Sequence, residues 1–416
     1  MSKEVLIIGG GIIGLSTAYY LQKEGHQVTV IDKSDFTSGA SYVNAGYITP
    51  SHIVSLAAPG MITQGIKWMF NSSSPFYVKP RLDIDFLKWT WAFKKSANAK
   101  KVASSIPVIR DINLLSRDLY EEIKASNDFN FQYEHKGLMM YYQSDKVGEH
   151  EWELGEKALK AGLHAEHLTS MEAIRKYEPT ADLNVKGAVY FDCDAHMTPS
   201  DFMPEMVKYL KSQGARIIAN EEVLDIEVSN HVISKVITDK STYNADEVVL
   251  AAGSWSPLLT KKLGIKIPIQ AGKGYRINVK RETNITIPSI LCEAKVAVTP
   301  MTGFTRFAGT MEIDGINHTI NPARVNAIAN AAKNFYNGLE ITQSEKEDAA
   351  CGLRPCSPDG LPYIGKSSKC TNLTIAAGHA MMGWSLGPAT GKLVTEIISN
   401  KKTSLDISPF HPDRKF

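Results

Sequence analysis

The feature that most restricts the fold stands almost at the start of the chain, in "VLIIGGGIIGLSTAYYLQKEGHQVTVID", residues 5–32. An apolar strand (Val5 to Ile8) meets a glycine turn. An amphipathic helix follows over about Ile12 to Glu24, then a second strand (Val28 to Ile31) that ends on an acid. Gly9, Gly11 and Gly14 form G-x-G-x-x-G. The first permits the tight turn, the second lets backbone approach a pyrophosphate, and the third allows close helix-to-strand packing. The helix start, with Ile12 and Ile13 in its first turn, offers free N–H groups and a positive dipole end to phosphate. Asp32, with Lys33 beside it, is placed to accept hydrogen bonds from ribose hydroxyls. An acid at that strand end disfavours a 2′-phosphate, so NADP is set aside while NAD and FAD both fit.

Length and composition narrow the class. A chain of 416 residues exceeds one ordinary core, so two domains or one large domain with insertions is expected. With 43% hydrophobic and 22% charged residues it reads as a soluble globular protein, and a net charge of +2 gives no reason to expect nucleic acid as a partner. The five cysteines lack CxxC spacing, so neither a disulfide framework nor a zinc site is expected, and a reducing cytoplasm suits them. No apolar run reaches the roughly 18 residues that span a bilayer.

The later chain is α/β in texture, with one change. Residues 34–60 are rich in small and polar residues and read as a long functional loop. Residues 61–135 read as mainly helical, and 199–214 as a helix followed by short strands. Over 264–313 alternating strands such as "GYRINVKR", "KVAVTP" and "TRFAGTMEI" suit an antiparallel sheet covered on one face. A helix over about 322–336 follows, and α/β texture then returns in "NLTIAAGHAMMGWSLGPATGKLV". The expected fold is therefore α/β, a Rossmann-like nucleotide domain assembled from separated segments (1–80, 150–262 and 350–400). A second α+β domain with a mainly antiparallel sheet takes 81–149 and 263–349.

The distant segments favour a flavin. "VVLAAGSWS" is an apolar strand ending in small residues that let a chain cross beside a nucleotide. A second glycine turn and helix start near residue 383 supply N–H groups where a reduced flavin accumulates negative charge. In order along the chain, "TSGASYVNAGYITPSH", "AAPGMITQGIKWMF", "AAGSWSPLL", "CGLRPCSPDGLPYIG" and "GHAMMGWSLGPATGKL" resemble the D-amino-acid oxidase superfamily of FAD-dependent amine oxidoreductases, most of all its D-amino-acid dehydrogenase branch. The resemblance implies FAD as cofactor. Ser38, Ser41, Asn44, Ala45 and Gly46 would lie along it, with Val223 near the adenine. Ala251, Gly253 and Trp255 would line the nucleotide, and Gly383, Trp384, Ser385 and Leu386 would lie beneath the flavin pyrimidine edge.

It also implies oxidation of an amino acid by hydride transfer from Cα to flavin N5, which needs a neutral amine and a cation for the carboxylate. Arg354 and Arg306 are candidates for that cation. His52, His196 and His379 are candidates to accept a proton or orient substrate, and Tyr275 to close the pocket. "DAHMTP" and "AAGHAMMG" resemble the hydroxyproline type, with D-proline or cis-4-hydroxy-D-proline as substrate. Aromatics beside lysines in "IKWMF" and "DFLKWTWAFKKSANAKK" suit a membrane-surface patch, with a quinone or carrier protein taking the electrons at the inner face of a membrane. A glycine or sarcosine-type oxidase using O2, or a flavin-binding module without turnover, are the alternatives.

Overall fold

A computed structural model describes residues 1–55, 57, 76–79, 81 and 83–416. The opening strand, Glu4–Ile8, is central to a six-stranded sheet. Gln27–Ile31 and then Arg216–Ile218 lie to one side of it. Glu247–Leu250, Leu373–Ala377 and Tyr363–Lys366 lie to the other. The first five pair in parallel and only Tyr363–Lys366 runs antiparallel. Continuous apolar runs such as "VLII" and "LTIAA" fit strands covered on both faces. Because Ile8 pairs with both Ile31 and Leu250, the chain leaves three neighbouring strands at one level, and a crevice opens beyond their carboxyl ends.

Two helices close one face of this sheet, Ile12–Lys23 and Gly387–Ile398. They touch through backbone: a Cβ on Gly391 would fall 2.5 Å from the Ser16 carbonyl, so only glycine lets them approach so closely. The long helix Ala99–Ala125 joins the same core through Ile109, Ile112, Leu119, Tyr120 and Ile123.

The second sheet has nine strands. Its main path runs Ala350–Cys356, Gln270–Val279, Phe304–Ile313, Val296–Met301, Ser289–Leu291, Leu138–Tyr142, Gly187–Phe191 and Glu166–Leu168, with Phe76–Val78 pairing alongside Phe304–Ile313. Pairing is antiparallel except at Ser289–Leu291 with Leu138–Tyr142 and at Phe76–Val78. The expected antiparallel sheet is present, but it draws on more of the chain than residues 81–149 and 263–349. Glu166–Leu168, Gly187–Phe191 and Ala350–Cys356, all assigned above to the nucleotide side, belong to it. Helix Ala99–Ala125, assigned to the substrate side, packs in the nucleotide core. Glu166–Leu168 is too short to show a period, Gly187–Phe191 is apolar throughout, and Ala350–Cys356 does not alternate in polarity, so none reveals its sheet from sequence.

Candidate active site

The two sheets meet along a cavity of about 1720 Å³. Pockets for drug-sized ligands span roughly 300–1,000 Å³, so this space exceeds a site for one small ligand and admits a dinucleotide with a second molecule beside it. At one end lie Gly9, Gly10, Gly11, Ile12 and Ile13, Asp32 and Lys33, Val223, and Ala251 to Trp255. Gly9 holds φ +107°, and a Cβ there would sit 2.5 Å from the Ala251 carbonyl oxygen, which explains the glycine. Gly14 lies beneath the turn rather than on the wall; its missing Cβ leaves room for the Gly9 carbonyl.

Asp32 is more occupied than the sequence suggests. Its Oδ2 accepts the Gly10 N–H at 2.6 Å, and Oδ1 accepts the N–H and hydroxyl of Ser34 at 2.7 and 2.6 Å. Its first task is to shape the glycine turn, and it also lines the cavity. Lys33 lies over the Trp255 ring at 3.9 Å from the centroid.

The loop at 38–52 forms the long wall. Ser38, Ser41, Asn44 and Ala45 line the cavity, while Gly46 lies behind it against the Met197 carbonyl. Ser41 Oγ accepts the Ile12 N–H at 3.0 Å, so one N–H of the first helix is already used. Opposite, Gly383, Trp384 and Ser385 line the cavity, and Leu386 is the buried N-cap of helix Gly387–Ile398. Ser385 Oγ accepts the Thr49 N–H at 3.0 Å and donates to Asn113 Oδ1 at 2.7 Å. Two helix starts thus open on one cavity, the charge pattern that suits a pyrophosphate at one and a reducible ring at the other.

The two candidate arginines separate cleanly. Arg306 donates to the carbonyls of Tyr42 at 2.9 Å and Asn44 at 2.6 Å, and to Asn278 Oδ1 at 3.0 Å. Burial, with Arg276 nearby, pushes its guanidinium down to about 9. It clamps the loop. Arg354 makes one bond, from Nη1 to the Thr310 carbonyl at 2.8 Å, and has no acidic partner among the described residues. It lines the cavity with Thr310, Met311, Phe76, Gly274 and Tyr275. Thr310 is a β-branched residue at φ +63°, with its buried hydroxyl unpaired. Backbone strain of this kind collects at functional positions.

The remaining candidates have varied places. Tyr275 lines the cavity, its hydroxyl bonded to Glu312, which also pairs with the buried Lys273. His379 lines it too, but Nε2 is bonded to Thr390 Oγ1 at 3.0 Å and burial pushes the ring down to about 3, so it is a neutral fixed group. His196 is fully buried off the cavity wall. His52 is on the wall, next to Ser51. Sequence reasoning missed Thr310, Gly274 and Asp194, for which only contacts made in three dimensions are informative. No group of three metal-ligating side chains occurs among the described residues.

A family model described as "FAD dependent oxidoreductase" (DAO) matches residues 4–397. The chain is 33% identical over 404 residues to a D-amino acid dehydrogenase of Helicobacter pylori strain J99, covering 95% of each. It is 29% identical over 411 residues to one of Vibrio atlanticus, covering 97% of each. Among solved structures, glycine oxidase from Geobacillus kaustophilus superposes with a TM-score of 0.79 at 21% identity, over 100% of this chain and 99% of that one.

Proposed function

The chain belongs to the DAO family of FAD-dependent oxidoreductases, and from that premise we propose that it is a D-amino acid dehydrogenase that oxidises its substrate to the imino acid. Bound FAD supplies the hydride acceptor. The protein's residues do the rest. The glycine turn and the Ile12–Lys23 helix start hold the pyrophosphate, and the loop from Ser38 to Ala45 holds the body of the cofactor against Gly383 to Ser385. Arg354 takes the substrate carboxylate. That assignment carries the proposal: a half-buried guanidinium on the cavity wall, with one carbonyl bond and no acidic partner among the described residues, needs an anion to offset its partial desolvation. Phe76 and Met311 give the apolar flank that a ring or alkyl side chain requires.

Within D-amino acids the substrate is D-proline or cis-4-hydroxy-D-proline. The segments "DAHMTP" and "AAGHAMMG" support this reading. A quinone or carrier protein takes the electrons at a membrane surface. Helix Ile84–Ser96 supports it by exposing Ile84, Leu87 and Trp91, with Lys94 and Lys95 over the Trp91 ring at 5.8 and 5.6 Å. The companion segment "IKWMF" lies outside the described residues, and no described helix is long and apolar enough to cross a membrane.

The test is an anaerobic bleaching screen of the FAD-loaded protein with D- and L-amino acids and N-methylglycines, followed by reoxidation in air or with a soluble quinone. D-proline or its 4-hydroxy derivative should bleach the flavin fastest, and quinone should restore it faster than air. Preference for glycine or sarcosine with stoichiometric peroxide would make the protein an oxidase. A flavin that no amine bleaches would leave a non-catalytic module.

A further inference from the structure

Asp194 is fully buried at the start of strand Ala195–Met197, and no cation pairs with it among the described residues. Its Oδ1 accepts the Ser51 N–H at 2.9 Å, which suffices to hold the turn at 49–52. A second bond does more: the Ser51 hydroxyl donates to Oδ2 at 2.5 Å, and the same Oγ lies 3.1 Å from His52 Nδ1. A hydroxyl already donating to a carboxylate accepts from the imidazole. This assigns the proton to Nδ1 and leaves the Nε2 lone pair free, with no partner among the described residues. Ser51 and His52 line the cavity and Asp194 does not, so a hydrogen-bonded chain runs from the cavity wall to a buried acid.

We propose that His52, Ser51 and Asp194 form a proton relay that removes the surplus proton from the substrate's ammonium group. This assignment rests on the amino-acid reading above. One N–H bond of the ammonium breaks and its proton goes to His52 Nε2. The Nδ1 proton passes to Ser51 Oγ while the Ser51 hydroxyl proton moves to Asp194 Oδ2. No electron changes hands, and the amine is left with the lone pair that C–H cleavage requires. The proton returns along the same path after product leaves.

The electrostatics give the relay its direction. Burial and the nearby Lys295 hold His52 down at about 4, so the imidazole passes a proton on rather than keeping it. Burial pushes Asp194 up to about 7 against the bonds from Ser51, so the carboxyl can store one near neutrality. The other titratable or charged groups near Asp194 are Cys193, whose Sγ is at 3.4 Å, Arg117 from helix Ala99–Ala125, and the tyrosines Tyr47 and Tyr190. Burial keeps Cys193, Tyr47 and Tyr190 protonated, and Arg117 is bound to Asp118.

The test is the pH dependence of anaerobic flavin reduction by the best amino acid in full-length FAD-loaded protein, comparing wild type with Asp194→Asn, Ser51→Ala and Ser51→Thr. An asparagine can still accept the Ser51 N–H, so the turn survives while the store is lost. Asp194→Asn and Ser51→Ala should slow reduction roughly 10²-fold at pH 7 and recover near pH 10, where the free amine arrives already deprotonated. Ser51→Thr should follow wild type. Independently of turnover, infrared difference spectra should contain a protonated-carboxyl band that titrates near neutrality and is absent from Asp194→Asn. If Asp194→Asn fails to bind FAD, the two Ser51 variants carry the comparison. An equal loss at every pH, or an unchanged profile, overturns the relay while leaving the substrate assignment intact. Wild type that no amino acid bleaches overturns both.

Discussion

At the scale of single residues, Gly274 and Arg354 are one device. They sit on neighbouring strands whose register pairs Gly274 with Gly352 and Gly272 with Arg354, so the Arg354 side chain crosses diagonally over Gly274. A Cβ on Gly274 would fall 2.1 Å from Arg354 Nη1, closer than any real contact, so the glycine is the space in which the guanidinium lies. Arg354→Met should remove a two-pronged charged hydrogen bond and weaken amino-acid binding by two to three orders of magnitude, about 3–4 kcal/mol. Gly274→Ala should cost much of the same by displacing the fork without removing its charge. Titration of the protein with a non-oxidised carboxylate ligand measures both, with FAD content as the control. Equal affinity in Gly274→Ala and wild type would show that the fork does not bind there.

At the scale of elements, the loop at 38–52 has no regular structure of its own beyond the two-residue strand Tyr47–Ile48, and its shape is imposed from outside. Arg306 clamps Tyr42 and Asn44, Thr299 Oγ1 donates to the Ala45 carbonyl at 2.7 Å, and Ser385 fixes Thr49. Arg306→Met should therefore lower FAD affinity by roughly 10- to 100-fold, through two lost charged bonds, while the order of preferred substrates stays as in wild type. Titration of the apoprotein with FAD reads the effect, and a changed substrate order with normal FAD affinity would assign Arg306 to the substrate instead. The opening βαβ unit was legible because its chemistry is local: strand, turn, helix and acid all lie within one short stretch. Alternation in Phe304–Ile313 was legible only in part. It places Arg306, Ala308, Thr310 and Glu312 on one face, but a register shift between the Lys273 and Tyr275 pairings, with Thr310 at positive φ, breaks the period. Thr310 and Met311 then both reach the cavity while Glu312 turns to Tyr275 and Lys273. A bulge leaves no signature in a pattern of apolar and polar residues. Nor does sheet membership of an all-apolar strand such as Gly187–Phe191, whose partners are chosen by tertiary packing.

At the scale of the whole molecule, buried titratable groups set how stability responds to pH. His52 is held down at about 4 and His379 at about 3, chiefly by burial, and burial also lowers His196 despite Glu134. Unfolded, each ring takes a proton near 6.5. From about pH 6.5 downward the unfolded chain therefore binds more protons than the native one, and the stability these rings contribute, complete above that range, falls as pH drops. Asp194 has the opposite sign. The native carboxyl keeps its proton up to about 7, whereas an unfolded aspartate releases it near 3.8. Its contribution is complete below 3.8 and is lost as pH rises through 7. Three unfolded rings still bind more protons than the one native carboxyl up to about pH 7, so these groups make the thermal midpoint of the FAD-loaded protein decline toward pH 5, rise to about pH 7 and level off above it. His379→Gln, whose amide can still meet Thr390, should make the acid decline shallower by about one proton's worth of slope. Asp194→Asn, which removes the opposing term, should steepen the rise of the midpoint with pH between about 5 and 7. Parallel curves for wild type and His379→Gln would mean that His379 is not held neutral in the native protein, and that its bond to Thr390 is made by a charged ring.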